Sequence, residues 1–365
     1  MTRIGVNALY LIPGGVGGTE IYLRELLAAL ATVDSNNEYL IFTNRETDSD
    51  LVPRQANFVW KPQAVRATNR PARILWEQIV LPVVAWRCRL DVWFNPGFTA
   101  PLLAPCPSVT TFHDLQHKQH PEHFRWFDLP FWRFLLWAAA HRSRRLIAVS
   151  EATRADLMRF YHLPKEKIAV IPHGANPEFF GLDRSRIENY LLCVSTLHPH
   201  KNLERLIRAY ARGKRTQNLV LAGMRGFQTA AIERLIQDLA ASETVKLTGW
   251  LPRDELLRLY ARAHAFVYPS TFEGFGIPVL EALAAGIPVA CSNIPPLREV
   301  AGDAALFFDP LQEDSIAEAL DRVSTDEALR ADLVKAGPER ARRFTWQRAA
   351  ELTLQVISQT RYTGR

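Results

Sequence analysis

TFEGFGIPVLEALAAGIPVACS, residues 271–292, places Glu273 and Glu281 eight positions apart around a Gly-Phe-Gly turn. The apolar run AFVYPS before it predicts a strand, and PVLEALAA predicts a helix. Pro278 suits the first turn of that helix, where the N–H group that proline lacks has no intrahelical partner to lose. The glycine and proline that follow are typical of a helix end. Residues 273–276 are therefore predicted to form a strand-to-helix loop at the carboxyl edge of a parallel sheet.

This loop has the composition of an anion-binding site. Gly274 and Gly276, on either side of Phe275, let backbone N–H groups approach an anion, and the N-terminus of the helix adds positive potential. The segment therefore predicts a seat for a diphosphate. Glu281, one turn into the helix, can reach a ribose diol beside that diphosphate, and Glu273 lies on the side where a sugar would follow. For an isolated pair of glutamates, an ordinary helix N-terminus with solvated acids is the alternative.

The rest of the chain alternates short apolar runs with amphipathic helical patterns. This alternation predicts an α/β architecture in which helices cover both faces of parallel sheets. The series restarts after HGANPEFFGLDRS, so we predict two doubly wound, Rossmann-like domains that face each other across a ligand-binding cleft. The predicted domains are residues 1–178 and residues 179–346, with a C-terminal helix in residues 347–365 returning to the first domain.

The length of the chain agrees with two domains, and its net charge does not decide which class of ligand it binds. The chain has 365 residues and a net charge of +6, which suggests acidic partners such as phosphates, anionic lipid or nucleic acid. Four cysteines are scattered without a C-x-x-C pair, as is typical of reduced thiols in the cytosol. No signal peptide is expected, because the N-terminus leads directly into a predicted strand, and no apolar run reaches the length of a membrane span.

The full string E-G-F-G-x-P-x-L-E-A-L-A-A-G-x-P-V resembles the retaining glycosyltransferases of family four, which have the GT-B fold. The resemblance covers most of the chain and includes HGANPEFF, STLHPHKNLERLIRAY and SNIPPLREVAGDAALFFDP. It implies that the first domain lies on the acceptor side and that the second binds the nucleotide sugar. It also implies that Glu273 lies beside the donor sugar, that Glu281 binds the ribose and that Lys201 binds phosphate.

One departure from the family pattern concerns the phosphates. Many members carry an arginine six positions before the lysine, where this chain has Ser195. We therefore expect the charge of the diphosphate to be neutralised by Lys201, by the N–H groups of the loop and by Arg225, which lies in AGMRGF.

The first half of the chain contains a second glycine-rich loop, PGGVGGTEIYLRELLAAL. A dinucleotide-binding fingerprint is disfavoured because Glu20 stands in place of its third glycine, and because the next strand runs on to Arg45 and not to an acid. The resemblance implies that Gly17 and Gly18 contact the donor diphosphate and the acceptor. It also implies that His113, at the end of SVTTFHD, contacts the donor sugar. For His113 taken alone, a structural histidine with satisfied hydrogen bonds is the alternative.

Two patterns resemble metal-ligand sets, and neither is interpreted as a metal site. Four histidines have a plausible spacing: His113, His117, His120 and His123. Pro121 interrupts them and no cysteine is near. Asp48 and Asp50 form a D-x-D pattern in the polar turn NRETDSD and are interpreted as solvated. We therefore expect no metal and no cofactor.

Residues 125–146, RWFDLPFWRFLLWAAAHRSRRL, mix aromatic and basic side chains. In one interpretation, Trp132 and Trp137 lie in a membrane interface while four arginines meet anionic lipid: Arg133, Arg142, Arg144 and Arg145. The alternative is a core helix that ends in a basic turn. A lipid-linked acceptor at the inner face of a membrane would suit the first interpretation.

We predict a metal-independent, retaining glycosyltransferase that moves a sugar from a nucleotide diphosphate sugar to a glycan or lipid-linked acceptor of a surface polysaccharide. Its catalytic residues would be His113, Lys201 and Glu273. LHPHKN and LWEQIVLP most resemble the bacterial mannosyltransferase branch, so GDP-mannose is the first donor. The alternatives are a UDP-sugar-dependent glucosyl- or N-acetylglucosaminyltransferase, an epimerase of the same fold and a basic nucleic-acid-binding protein. The last is disfavoured because the positive charges are spread along the chain.

Overall fold

The computed structural model of the chain describes residues 1–15, 17–124, 126–213, 215–226 and 228–361. The ends of two segments discussed above, Arg125 and residues 362–365, lie outside these ranges. The chain divides into two compact units. One comprises Met1–Gly174 and the segment that begins at Thr345, and the other comprises Ala175–Phe344.

The first unit is built on a seven-stranded sheet. Its strands are β1 (Arg3–Asn7), β2 (Glu38–Thr43), β3 (Phe58–Pro62), β4 (Val92–Asn95), β5 (Ser108–Phe112), β6 (Arg145–Ala148) and β7 (Ile168–Val170). They pair in the order β3-β2-β1-β4-β5-β6-β7, and every pairing is parallel. The helices of this unit are α1 (Gly18–Val33), α2 (Arg70–Arg87), α3 (Gln116–Gln119), α4 (Leu129–Arg142), α5 (Glu151–Tyr161) and, at the end of the chain, α13 (Trp346–Thr360).

The alternation of side chains along β4 shows how helices cover both faces of this sheet. Val92 and Phe94 share one core cluster with the inner faces of α1 and α13. Trp93, between them, belongs to a second cluster with α2, which contributes Leu81 and Ala85. Successive residues of a strand point to opposite faces. The helices therefore occupy the faces of the sheet and leave the carboxyl ends of the strands to loops.

The second unit repeats this architecture with six strands. They are β8 (Tyr190–Val194), β9 (Asn218–Ala222), β10 (Val245–Gly249), β11 (Ala265–Tyr268), β12 (Val289–Ser292) and β13 (Leu306–Phe308). Their order is β10-β9-β8-β11-β12-β13, and all pairings are parallel. The helices are α6 (Leu203–Ala211), α7 (Thr229–Asp238), α8 (Arg253–Arg262), α9 (Ile277–Ala284), α10 (Pro295–Ala301), α11 (Glu313–Thr325) and α12 (Glu327–Ala341).

The α/β class with two doubly wound parallel sheets is confirmed, because strands and helices alternate through both units. All four cysteines are free thiols, and Cys193 and Cys291 are buried. Within the described ranges, no helix combines the length and the apolar content needed to cross a bilayer.

Candidate active site

The loop between β11 and α9 forms where the sequence predicts it. Gly276 is the N-cap of α9 and has a φ of 108°. A Cβ at this position would lie 2.4 Å from Leu297 Cδ2. Both the positive φ and this close approach require glycine. A glycine cap offers no side chain to the first N–H groups of α9, and no side-chain cap is present. The N-terminus of α9 therefore has the polarity of an anion-binding site.

Lys201 and Glu273 form an ion pair beside this loop. Lys201 Nζ lies 2.6 Å from Glu273 Oε1, and the two side chains are only 14% and 11% exposed. The ammonium group also donates to the hydroxyl group of Tyr268, the last residue of β11, at 3.1 Å. The family resemblance implies that Lys201 binds phosphate and that Glu273 lies beside the donor sugar. The structure brings both into one cluster, so the carboxylate partly offsets the positive charge of the lysine.

Asn202 fixes the position of Lys201. Lys201 ends a short 3-10 turn that follows β8, and Asn202 after it adopts the left-handed conformation with a φ of 58°. The Asn202 side-chain amide donates to the carbonyl oxygens of Pro269, at 3.1 Å, and Pro310, at 2.7 Å. These bonds connect the segments that follow β8, β11 and β13. The lysine is therefore held by backbone geometry at the carboxyl edge of the sheet.

Ser195 follows β8 and lies against the residue that follows β9. A Cβ on Gly223, which has a φ of 147°, would lie 2.0 Å from the Ser195 carbonyl oxygen. Arg225, two residues beyond, is 75% exposed, and its guanidinium group lies 3.1 Å from Glu233. The loops after β8 and β9 are thus in close contact near Ser195. The donor-binding roles of Ser195 and Arg225 stay predictions, and Arg225 is paired with an acid.

Glu281, the fifth residue of α9, is 6% exposed. The hydroxyl group of Tyr260 donates to Glu281 Oε2 at 2.9 Å, and Arg253 Nη1 lies 3.9 Å from Oε1. Burial raises the pKa of Tyr260 well above its usual value, so this phenol stays a donor. Sequence reasoning missed Tyr260 and Arg253, both on α8, because no local pattern connects them to α9. The carboxylate of Glu281 is therefore held in a fixed orientation.

The predicted residues of the first unit lie at the carboxyl edge of its own sheet. Gly17 is the N-cap of α1 and Gly18 its first residue. His113 follows β5, is 6% exposed and forms a 2.8 Å hydrogen bond between Nε2 and the Pro96 carbonyl oxygen. A carbonyl oxygen only accepts, so Nε2 carries a proton. Burial lowers the pKa of His113 to about 4. The imidazole is therefore neutral at pH 7, with its lone pair on Nδ1.

The four histidines of the sequence pattern do not share a single partner. His117 Nε2 lies 2.7 Å from the hydroxyl group of Tyr161, and His113 bonds to a carbonyl. The remaining two lie near Glu122, and ligand atoms of His120, Glu122 and His123 are within 4.8 Å of one another. His120 Nδ1 lies 3.0 Å from Glu122, which is 60% exposed. The fold therefore does not gather the four histidines around one point.

The D-x-D pattern lies on the surface of the first unit. Asp48 caps a short 3-10 turn, Ser49–Leu51, and both Asp48 and Asp50 are exposed. Their environment is that of solvated acids. The absence of a metal requirement stays a prediction.

Two family models match the chain. One, described as glycosyl transferases group 1, matches residues 177–340, and the other, described as glycosyltransferase family 4, matches residues 16–179. Together they span residues 16–340.

Bacterial mannosyltransferases are among the similar proteins. The O-antigen chain mannosyltransferase B of Escherichia coli is 29% identical over 280 residues, which make up 72% of this chain and 73% of that protein. The O-antigen chain mannosyltransferase RfbU of Salmonella typhimurium is 32% identical over 225 residues, 62% of each chain.

Solved structures of glycosyltransferases share the fold over nearly the whole chain. The sucrose-phosphate synthase of Thermosynechococcus elongatus aligns with a TM-score of 0.80 and 19% identity, over 98% of this chain and 99% of that one. Anabaena HepE, in complex with UDP and glucose, aligns with a TM-score of 0.77 and 20% identity, over 98% of this chain and 99% of that one.

Proposed function

Because this chain belongs to the family-four glycosyltransferases and has their GT-B fold, we propose that it transfers a sugar from a nucleotide diphosphate sugar to a glycan or lipid-linked acceptor. The observation that carries this proposal is the Lys201–Glu273 ion pair beside the glycine loop that precedes α9. A fixed ammonium group and a helix N-terminus are suited to holding a diphosphate leaving group. Glu281 would accept hydrogen bonds from the ribose.

The proposed reaction retains the configuration at the anomeric carbon, as the family resemblance implies. The acceptor hydroxyl attacks from the face that the diphosphate leaves. Its oxygen forms a bond to the anomeric carbon, the bond from that carbon to the phosphate oxygen breaks, and the hydroxyl proton passes to the departing oxygen. Lys201 stabilises the charge that develops on the phosphate. His113 is neutral at pH 7 and therefore contacts the sugar by hydrogen bonding and not by charge.

Mannose from GDP-mannose is the first choice of donor. The names of two similar proteins, both O-antigen chain mannosyltransferases, support mannose and a surface polysaccharide as acceptor. A UDP-sugar is the second choice, supported by the UDP and glucose bound to Anabaena HepE. Neither choice requires a metal ion, because Lys201 and backbone N–H groups would neutralise the diphosphate.

Calorimetric titration with GDP and UDP, followed by turnover assays with the matching sugar nucleotides, tests this function. We expect submillimolar binding of one nucleotide, and turnover that persists in excess chelator. Dependence on added Mn²⁺ or Mg²⁺ would contradict metal independence and would direct attention to Asp48, Asp50 and the group of His120, Glu122 and His123. Failure to bind any nucleotide diphosphate would refute the proposed function.

The variant Glu281→Gln tests the ribose contact. Glutamine can still accept from Tyr260, so the melting temperature should change little. It loses a charge-assisted hydrogen bond to the ribose, which corresponds to about ten- to a hundredfold in donor affinity. The matched control is Glu255→Gln, which makes the same change on the exposed face of α8. Equal donor affinities of the two variants in calorimetry would remove Glu281 from the site.

We also propose that the first unit docks on an anionic membrane through α2, α4 and the segment between them. On α4 the exposed aromatic residues are Phe131, Phe134 and Trp137, each 45–55% exposed. The interpretation that placed Trp132 and Arg133 at a membrane interface is corrected for these two residues. Trp132 packs against the core, and Arg133 reaches back to the His117 carbonyl oxygen at 3.5 Å.

Helix α2 extends this apolar surface. Four of its large apolar residues lie at helical spacing and are 47–70% exposed: Leu75, Ile79, Val83 and Trp86. Leu103, 74% exposed, lies in the segment between the helices. Gln78 of α2 bonds to Ala100 and Leu102, and Arg142 of α4 donates to the Leu102 carbonyl oxygen at 3.3 Å. The segment between the helices is therefore bonded to both of them.

Charge supports anionic lipid as the partner. Residues 70–90 contain one acid, Glu77, which is buried, and α4 contains none. Exposed arginines flank the apolar surface: Arg87, Arg89, Arg142 and Arg144. Basic residues around exposed aromatic and aliphatic side chains are typical of a helix that lies in the plane of a membrane interface.

Sedimentation with lipid vesicles tests the membrane contact. The protein should bind vesicles that contain phosphatidylglycerol more tightly than vesicles of phosphatidylcholine, and high salt should weaken the binding. Trp86→Ser should reduce the bound fraction severalfold. The control is Trp250→Ser, at a tryptophan of the second unit that is 63% exposed. Equal sedimentation of both variants would show that α2 does not contact lipid.

A further inference from the structure

The sheet of the first unit changes direction between β1 and β4. Chain order runs outward from β1 to β3 on one side of this point and from β4 to β7 on the other. In open parallel sheets, ligands bind at the carboxyl ends of the strands at such a point. Asn7 and Asn95 end these two strands, and Asn7 Nδ2 donates to Asn95 Oδ1 at 3.3 Å.

Helix α2 contributes a buried carboxyl group to this point. Glu77 is 2% exposed. It accepts hydrogen bonds from Asn7 Nδ2 at 3.1 Å and from Thr99 Oγ1 at 2.9 Å. Burial raises the pKa of Glu77. These bonds fix the first half of α2 against the ends of β1 and β4.

Arg73, one turn before Glu77, has no such partners. It is 8% exposed, and within the described part of the chain its Nε is buried without a hydrogen-bond partner. The hydrogen bonds of the Glu77 carboxyl group come from Asn7, Thr99 and Gln78, so Glu77 balances the charge of Arg73 only electrostatically. A buried guanidinium nitrogen without a hydrogen bond is costly, because its lost hydration is not replaced. Among the described residues, none accepts a hydrogen bond from Arg73 Nε, which is therefore open to an acceptor from outside the chain.

The surroundings of Arg73 favour an anion with more than one charge. Burial is the main cause that lowers the pKa of Arg73. Glu77 opposes this effect, and Arg70, the first residue of α2, lowers the pKa further. Tyr10 lies nearby, with its ring packed so closely on Gly97 that a Cβ there would be 2.4 Å from the ring. The N-terminus of α2 adds positive potential on the same side.

We propose that Arg73 binds a phosphate group of the acceptor substrate, with Arg70 beside it. This inference rests on the proposed function and names a chemical class for its acceptor. A guanidinium group pairs with phosphate through two parallel hydrogen bonds. Two arginines match the charge of a diphosphate, as in a lipid-linked glycan. The same helix presents Leu75 and Ile79 outward, so a diphosphate at Arg73 and a lipid tail at the apolar surface would lie along one element.

Calorimetry with inorganic pyrophosphate tests this site on the full chain. The nucleotide site is first saturated with the nucleotide that the protein binds, so that pyrophosphate cannot enter it. Wild-type protein should bind a further pyrophosphate. Arg73→Gln should weaken that binding about tenfold or more, which is the scale of losing a charge-assisted hydrogen bond. Arg73→Lys should give an intermediate value, because it keeps the charge but not the fork. Arg54→Gln, the same change at an exposed arginine of the first unit, should leave the binding unchanged.

The outcomes separate this inference from the proposed function. Equal pyrophosphate binding by Arg73→Gln and Arg54→Gln, or no further binding by the wild type, would overturn the phosphate site. Binding of the carboxylate glucuronate without binding of pyrophosphate would also overturn the phosphate site, because Arg73 would then bind a carboxylate and not a phosphate. If Arg73→Gln does not fold, Arg73→Lys provides the comparison. If the wild type binds no nucleotide, the proposed function fails, and the pyrophosphate titration without nucleotide still tests Arg73.

Discussion

Lys201→Ala is expected to reduce turnover by about a hundredfold or more, the scale of removing one preorganised donor from a developing charge. Ser195 stands where the family pattern implies an arginine, so Lys201 is the main cation that we assign to the diphosphate. A contact that strengthens as the leaving group gains charge lowers the rate constant and not only the affinity. Turnover assays at saturating donor measure this loss. The control is Lys246→Ala, at an exposed lysine on β10.

The ion pair adds a second effect to this prediction. Without Lys201, the Glu273 carboxylate, 11% exposed, would face the diphosphate with no cation beside it. Nucleotide affinity should therefore also fall. The double variant Lys201→Ala/Glu273→Gln should regain part of the affinity but not the turnover, because it removes repulsion without replacing the cation.

Restoring the missing arginine is a sharper experiment. Ser195→Arg in the Lys201→Ala background should recover some donor binding if position 195 faces the phosphates. Lys201→Arg keeps the positive charge and should recover part of the turnover that Lys201→Ala loses. The recovery should be incomplete, because the planar guanidinium fork differs in shape from an ammonium group. Turnover of Lys201→Ala within about twofold of wild type would mean that the phosphate site lies elsewhere.

Gly223→Ala is expected to destabilise the second unit by roughly 2–4 kcal/mol, from backbone strain and from a steric clash. Gly223 has a φ of 147°, and its added Cβ would lie 2.0 Å from the Ser195 carbonyl oxygen. Backbone atoms cannot rotate away as a side chain can, so the loops after β8 and β9 must separate. Because Lys201 follows the same loop, nucleotide affinity should fall as well. Denaturation curves and calorimetry measure the two effects.

Gly181→Ala is the matched control for this substitution. No atom lies within 4 Å of its added Cβ, and its φ is not in the left-handed region. Its effect should stay within about 0.5 kcal/mol, as for an ordinary surface substitution. Equal stabilities of the two variants would contradict the close approach of the loops at Ser195.

The sequence by itself determined the alternation of strands and helices, and with it the α/β class. These features rest on local patterns. The loop before α9 is the clearest case, since Gly276 and Pro278 encode the positive φ and the first helical turn within three residues. The GT-B fold and the family came from motif resemblance, whose strings are contiguous in the chain.

Only the tertiary structure decided which side chains meet. Lys201 and Glu273 are 72 residues apart in the chain, and no periodicity encodes their ion pair. The same holds for Tyr260 with Glu281. On α4, one of the two interpretations of the composition placed Trp132 and Arg133 on a surface of aromatic and basic residues. Both contact the rest of the unit instead, because the exposed face depends on how the helix packs.

Arg73 shows the limit most clearly. In the sequence it is one of several arginines on a helix with apolar residues at several positions. The buried position of Arg73 and the lack of a hydrogen bond to Glu77 appear only in the folded chain. There β1 and β4 lie side by side, and Glu77 is bonded to Asn7 and Thr99. A pattern of residue types shows which side chains prefer water and with what spacing apolar side chains recur along the chain. Whether a particular buried charge has a partner depends on contacts between distant segments, which only the folded chain defines.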